Sequence, residues 1–539
     1  MKKLFITLIA TGSLLMTNSC SEDFLDVNRN PNEAYNNQLT PKERLAAAQT
    51  NIFATQYVTL NRFGNLMMNA WVGNIFQYTA PFDDEMKMNV TSTFYNNIWD
   101  NYYLGINNFQ TIIDSDNSSK RFSGHIASAK VLKAFYMQTI VDLYNDAPYT
   151  EAFKGQGNLA PKYDKGKDIY KALIKEVDEA IALLNTYPAT AIYFNATGTA
   201  TGTESVEDVI FKTNIASWKQ MANTVKLKLI VRLSNCTDPE VIAYRDAALA
   251  TLPSTPASYV SSDVLLNPGY TAGNTTQQNP LFRNYGLLTL NGEINSNYRL
   301  VFASANIIDN MLGRAPRTTG LVDSRVQRMF YPNVWNWAED AEITPGFEGY
   351  YGLEQGTTNN ANTVGDYAGL GPKQFLYTSA TTGSTQPGVF MLNAESQFLL
   401  AEAAVLYPSK FSGAQTFFNA GITSSFVYLG LTAANATTYI NNSNSRVNVG
   451  WTASTNKIAA IQYQRWIALT NINPTETFIG YTKTNFPVTP LPINNVSVTS
   501  RPKRLIYPQS EYVANSANVP NLVKSDAFAI NQYSPFWLK

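Results

Sequence analysis

A chain of 539 residues, 45% hydrophobic and only 15% charged, can bury a large core and carries few charges to cover it. Its 40 basic and 40 acidic residues balance, which excludes the concentrated basic face of a nucleic-acid binder. His125 is the sole histidine, and Cys20 and Cys236 are the two cysteines, so most histidine-dependent catalysis and most metal-site architectures are removed.

Met1-Lys2-Lys3 followed by an apolar run from Leu4 to Met16 reads as a secretory signal over residues 1–19. The run falls short of the roughly 20 apolar residues needed to span a bilayer. Cys20 stands where cleavage would fall, so its thiol is the expected lipidation point. Each buried CH₂ of an attached acyl chain contributes about 0.8 kcal/mol, and two or three chains hold a soluble domain on a membrane. A plain secreted protein with an incidental cysteine is the alternative. Loss of Lys2 and Lys3 with the signal leaves 38 basic residues against 40 acidic, a net charge of −2. Ser21-Glu22-Asp23 places acid beside the anchor, as in a lipoprotein exported to the outer membrane and facing the cell exterior. With Cys20 lipidated, Cys236 has no partner for an intrachain disulfide.

Residues 20–39 read as a tether rich in turn formers. A helix is predicted from Thr40, with Pro41 at its first position and Glu43 completing a capping box. Leu45, Ala48 and Ile52 follow at helical spacing. Further helices are predicted over 93–114, 122–144, 168–184 and 217–233. Their stripes include Trp99, Tyr136, Leu173 and Trp218. Trp99 belongs to a core stripe, and His125 reads as structural or exposed. Lys226, Lys228 and Arg232 lie between apolar positions and are expected on a solvated face. Helices of 15–20 residues recurring every 40 or so suggest tetratricopeptide-like pairing, without a clean 34-residue consensus.

From Pro253 to about Gly388 the texture changes: Gly, Pro, Asn and Thr accumulate, and helical periodicity survives only around 297–312. Helix returns at 394–407, 414–426 and 457–469, and the remainder is proline-punctuated. The domain reading is therefore a helical region over 40–252, a loop-rich insertion over 253–390, helical repeats over 391–470 and an irregular segment over 471–539.

Glu395-Ser396-Gln397-Phe398-Leu399-Leu400-Ala401-Glu402-Ala403-Ala404, with Ala414 and Asn419-Ala420-Gly421-Ile422, resembles the SusD/RagB nutrient-binding lipoproteins. So do Lys133-Ala134-Phe135 with the run from Val141 to Ala152, and Ile461 with Gln464-Arg465-Trp466-Ile467-Ala468-Leu469. Arg501-Pro502-Lys503-Arg504-Leu505-Ile506-Tyr507-Pro508-Gln509-Ser510-Glu511-Tyr512, with Asn515 and Asn518, is similar to that family's C-terminal signature. Asp26-Val27-Asn28-Arg29-Asn30-Pro31-Asn32 resembles the opening of its SusD-like subgroup. These runs follow the family order along nearly the whole chain. One departs: Tyr481-Thr482-Lys483-Thr484-Asn485-Phe486-Pro487 replaces the paired arginines of many relatives.

The resemblance implies a mainly α fold, a right-handed superhelix of tetratricopeptide-like helix pairs with a loop-rich, irregular ligand-facing half. It also implies docking against a SusC-like TonB-dependent transporter barrel. The captured nutrient is an oligosaccharide or, in some members, a peptide. No cofactor, metal or chemistry on the ligand is implied.

Sugar recognition needs flat apolar faces with amide, hydroxyl or carboxylate partners at the ring edge. Two windows supply both. One is Trp71, Gln77, Tyr78, Phe82, Asp83 and Asp84; the other is Tyr331, Trp335, Trp337 and Tyr350 beside Asn333, Asn336 and Glu348. Asn279 and Arg283 are further candidates. The alternative is that these aromatics pin loops onto the helices. Asp83-Asp84-Glu85 and Glu339-Asp340 with Glu342 lack calcium-loop spacing and read as solvated acids. The competing classes are a surface glycoside hydrolase and a purely structural surface lipoprotein. A hydrolase needs two carboxylates about 5–9.5 Å apart, and no acidic pair in an apolar setting stands out.

Overall fold

The computed structural model describes residues 39–186, 207–332, 346–358, 367–375, 380–494 and 498–538. Cys20, the tether, Asn333, Trp335, Asn336 and Trp337 lie outside the described residues.

The first helix begins at the predicted cap. In Pro41–Ala54 (α1) the Glu43 carboxylate accepts from the Thr40 backbone N–H at 2.9 Å, and Pro41 fills a position whose N–H has no acceptor to reach. A π-helical turn, Thr55–Leu60, carries the chain into Asn61–Met67 (α2). Asn96–Ile113 (α3), Ser123–Tyr144 (α4), Gly166–Asn185 (α5) and Ile215–Arg232 (α6) follow, each close to its predicted span. α5 buries Ile169, Tyr170, Leu173, Val177 and Leu184 on one side, as its 3.6-residue period requires. α4 is buried nearly all round because α3 and α5 cover it from either side. Pro239–Thr251 (α7) escapes prediction: only Val241 and Ala248 are buried, too thin a stripe to read. Its start is nonetheless well marked, since the Asp238 carboxylate accepts from the Glu240 N–H at 2.9 Å.

The second helical group comprises Asn393–Leu406 (α8), Ala414–Tyr428 (α9), Ala433–Ser443 (α10), Lys457–Leu469 (α11) and Pro474–Thr484 (α12). α8 packs on α9, α11 and α6, and α12 packs on α11 and back on α2. The chain thus folds its C-terminal helices against its N-terminal ones around one continuous core. Between the groups, short helices and antiparallel two-stranded ribbons replace long helices. The predicted helix over 297–312 divides into Ser296–Arg299, a strand Val301–Ala303 and Ala305–Met311. The division arises because Val301–Ala303 pairs with Trp71–Gly73, with Trp71 opposite Ala303 and Gly73 opposite Val301.

The expectation of a solvated basic face on α6 is wrong. Lys226, Lys228 and Arg232 are all buried. Lys226 pairs with Asp178. Lys228 reaches Glu476 at 2.8 Å and Glu395 at 3.8 Å, and Arg232 reaches Glu476 at 2.6 Å and Asp142 at 3.0 Å. Glu402 alongside binds Lys483 at 2.9 Å and Arg465 at 3.2 Å. Asp142, Glu395, Glu402 and Glu476 are therefore matched by Lys228, Arg232, Arg465 and Lys483. Packing on both sides of α6 forces these groups out of water, and the geometry leaves each charge a partner.

Candidate functional site

The segment linking α2 to α3 builds the first predicted window. Its strand carries Trp71 inward, fully buried, with Nε1 donating to Asn471 Oδ1 at 2.6 Å and the ring edge-on to Tyr285. Trp71 is a core residue and presents no face to a ligand. Beyond Gly73 the chain turns outward. Asn74 Oδ1 accepts from the Phe76 N–H at 3.1 Å, and Asn74 Nδ2 donates to the Arg299 carbonyl at 2.8 Å. Gly73 is required here, because a Cβ would stand 2.5 Å from Pro81 Cγ.

Several non-glycine residues of this segment hold left-handed backbone: Asn69 at φ +53°, Ala80 at +44°, Phe82 at +58°, Met88 at +48° and Tyr95 at +53°. Each such residue costs about 1–3 kcal/mol, and such strain gathers at ligand-binding segments. Buried Tyr95 and Glu85, with half-buried Arg62, hold the base of the segment. The Tyr95 hydroxyl donates to Glu85 at 2.6 Å and accepts from Arg62 Nε at 3.1 Å. Burial and the neighbouring Glu85 charge push the Tyr95 phenol well above its usual range, so it stays protonated as that donor.

The outward turn encloses a cavity of about 420 Å³. Phe76, Ala80, Pro81 and Met86 form its apolar wall, and Gln77, Tyr78, Thr357, Thr358 and Asn494 bring polar groups to it. Phe76 is backed by Tyr367, stacked at 5.6 Å between ring centroids. The Tyr78 hydroxyl donates to the Ser296 carbonyl at 2.8 Å, which fixes the ring. Asp83, paired with the exposed Lys87 at 2.7 Å, is the one carboxylate among the described lining residues. The arrangement suits stacking and hydrogen bonding; it does not set two carboxylates across a scissile bond.

Of the sequence candidates, Tyr78 and Asp83 come together at this cavity, with Gln77. Phe82 packs against the core instead. Of the rings in the second window, the two that are described are buried. Tyr331 pairs with Gly369 in a ribbon and is 8% exposed, and Tyr350 is 1% exposed. Neither ring is offered to solvent. Asn279 is buried as a helix cap, its Oδ1 accepting from the Leu281 and Phe282 N–H groups at 3.0 Å each, which leaves it no ligand role. Arg283 is exposed but does not line the cavity. Sequence reasoning missed Phe76, Pro81, Met86, Thr357, Thr358 and Asn494. The last three come from segments hundreds of residues away, and no local spacing announces them.

A family model described as "Starch-binding associating with outer membrane" matches residues 32–508. Among solved structures, a chitin-binding protein is 24% identical, with 89% of this chain and 95% of that one aligned at a TM-score of 0.64. A chitin-binding SusD homolog from Flavobacterium johnsoniae is 19% identical over 92% of this chain and 98% of its own, at 0.64. A SusD homolog from Bacteroides fragilis is 20% identical over 89% and 94%, at 0.65. At these identities the likeness shows a shared fold. No curated protein matches the sequence. No helix among the described residues is long and apolar enough to cross a membrane.

Proposed function

We propose that this chain, which belongs to the SusD-like family, captures a glycan at the cell surface and passes it to a SusC-like TonB-dependent barrel. In this reading Cys20 carries the lipid that holds the protein on the outer membrane, and no chemistry is done on the ligand. The observation that carries the ligand class is the cavity itself. An apolar wall backed by stacked Phe76 and Tyr367 faces a ring of amide and hydroxyl groups with one ion-paired carboxylate, Asp83. That composition suits a neutral polyhydroxylated ring, which offers a C–H face and hydroxyl edges. The family description and the chitin-binding relatives support the same class.

The test is a glycan and peptide array followed by calorimetry on the hits. The expected result is a neutral oligosaccharide hit whose affinity falls about tenfold, some 1.4 kcal/mol, in Tyr78→Ala. The hit is recovered uncleaved after incubation. Binding confined to peptides would overturn the glycan assignment, and cleavage would move the protein to the hydrolase class.

A further inference from the structure

We infer that a second cavity, apart from the first, binds a small zwitterion, a free amino acid or short peptide whose carboxylate meets Arg317 and whose ammonium meets Asp309. The inference stands whichever ligand the first cavity takes. The second cavity measures about 460 Å³. The helix Ala305–Met311 and the turn after it bring Asp309, Arg314 and Arg317 to its wall. Glu354 and Leu491 come from two segments tied together by the Ile493 N–H, which donates to the Gln355 carbonyl at 2.9 Å.

Two acids and two arginines line this cavity, yet the fold keeps them from neutralising one another. Arg317 Nη2 donates to the Val488 carbonyl, and the guanidinium carbon lies 5.8 Å from the centre of the Tyr463 ring. No carboxylate pairs with Arg317 among the described residues, and its Nε and Nη1 have no acceptor there. Arg314 Nη1 donates to the Tyr350 carbonyl at 2.8 Å, and its guanidinium covers the exposed Tyr351 ring at 5.4 Å. Its approach to Asp309 is a long 3.8 Å. The carboxylates of Asp309 and Glu354 accept no hydrogen bond among the described residues.

Partial burial makes that separation unfavourable. Asp309 and Arg317 are both half-buried. Loss of water pushes the Asp309 carboxyl up, outweighing Arg314, and the same loss pushes the Arg317 guanidinium down. Closely paired opposite charges shift the other way, each favouring its partner's ionised form. A ligand carrying one charge of each sign relieves both groups. An anion alone would also meet Asp309 and Glu354, and a cation alone would meet Arg314 and Arg317. A neutral sugar relieves neither. The free edge of a guanidinium suits a carboxylate, and Pro316, Pro490 and Leu491 offer an apolar surface to an aliphatic side chain.

The experiment is calorimetry of the full chain with L-leucine, with L-alanyl-L-leucine, and with that dipeptide blocked as its N-acetyl or its C-terminal amide form. It is repeated on Asp309→Asn, Arg317→Gln and Tyr78→Ala. The expected result is binding of a zwitterion that either block weakens about tenfold or more. In Asp309→Asn the acetyl block costs nothing further while the amide block still does; Arg317→Gln shows the converse, and Tyr78→Ala binds as the native chain does. Tighter binding of leucine identifies a free amino acid as the ligand, and tighter binding of the dipeptide identifies a peptide. Absence of zwitterion binding, blocked forms that bind as well as the free one, or variants that weaken every form equally would overturn the inference. None of these results touches the glycan reading, which fails only if sugars do not bind.

Discussion

Asp142 lies between Arg232 at 3.0 Å and the Trp537 indole N–H, which donates to it at 2.9 Å, with the Tyr170 hydroxyl as a third partner. Burial nevertheless outweighs these contacts and pushes its carboxyl up to about 6. In the unfolded chain an aspartate titrates near 4, so between about 4 and 6 the folded chain keeps a proton that the unfolded chain has released. Stability therefore falls as pH rises through that window. Glu476 behaves oppositely: although burial raises its carboxyl, Arg232 and Lys228 outweigh that and hold it well below its usual range. Its contribution is present above about 4.5 and is lost as pH falls below that. Together these two groups place their combined maximum between about pH 4 and 4.5, so denaturant titrations should show higher stability at pH 5 than at pH 7, and Asp142→Asn should abolish that gain. The pairs themselves differ by environment. Lys228→Met leaves Glu395 and Glu476 buried with fewer cations and should cost about 3–5 kcal/mol in urea unfolding. Lys87→Met at the exposed Asp83 pair should cost under about 1 kcal/mol. Charge type alone could not separate these lysines in the sequence, because what decides is whether a neighbouring helix covers them.

At the scale of elements, helices with one apolar stripe and a marked start were legible, as α1 with Thr40, Pro41 and Glu43 shows. α12 was not. It buries Thr475, Glu476, Thr477, Thr482 and Lys483 beside Phe478 and Ile479, so polar residues occupy core positions and the 3.6-residue pattern disappears. The candidate site divides the same way. Gln77, Tyr78 and Asp83 lie in one local window and could be proposed together, whereas the opposite wall arrives through contacts of the 354–358 and 490–494 segments. Gly356 is what lets those segments meet. At φ +85° it holds a left-handed backbone, and a Cβ there would stand 2.8 Å from the Ile493 nitrogen and 2.9 Å from that of Asn494. Gly356→Ala should push the 354–358 and 490–494 segments apart and lower affinity for the best glycan hit at least about tenfold. Neither segment carries one of the long helices, so the thermal midpoint should fall by only a few degrees, about 2–4 °C for each kcal/mol lost. A much larger fall with affinity intact would show that this contact serves folding and not the ligand.

Across the whole molecule, the order of family-like runs made the helical architecture readable, while the position of each aromatic relative to solvent was not, since Trp71 and Tyr350 look like ligand platforms until their neighbours close over them. Attachment to the membrane is a property of this same scale. The proposed surface address rests on an acyl chain, and no described helix is long and apolar enough to cross a bilayer. Of the two cysteines, Cys236 is buried and its thiol is pushed up by burial, which makes it a poor thiolate and an inaccessible acceptor. That leaves Cys20, where two or three acyl chains at about 0.8 kcal/mol per buried CH₂ would hold the domain firmly. Fractionation of cells expressing the native chain, Cys20→Ala and Cys236→Ser should place the native and Cys236→Ser proteins in the detergent-extractable outer-membrane pool. Cys20→Ala should appear in the soluble fraction with its glycan affinity unchanged, because the residues that line the cavity lie between Ile75 and Asn494, outside the tether. A membrane pool undiminished in Cys20→Ala would transfer the anchoring role to contacts with a barrel partner.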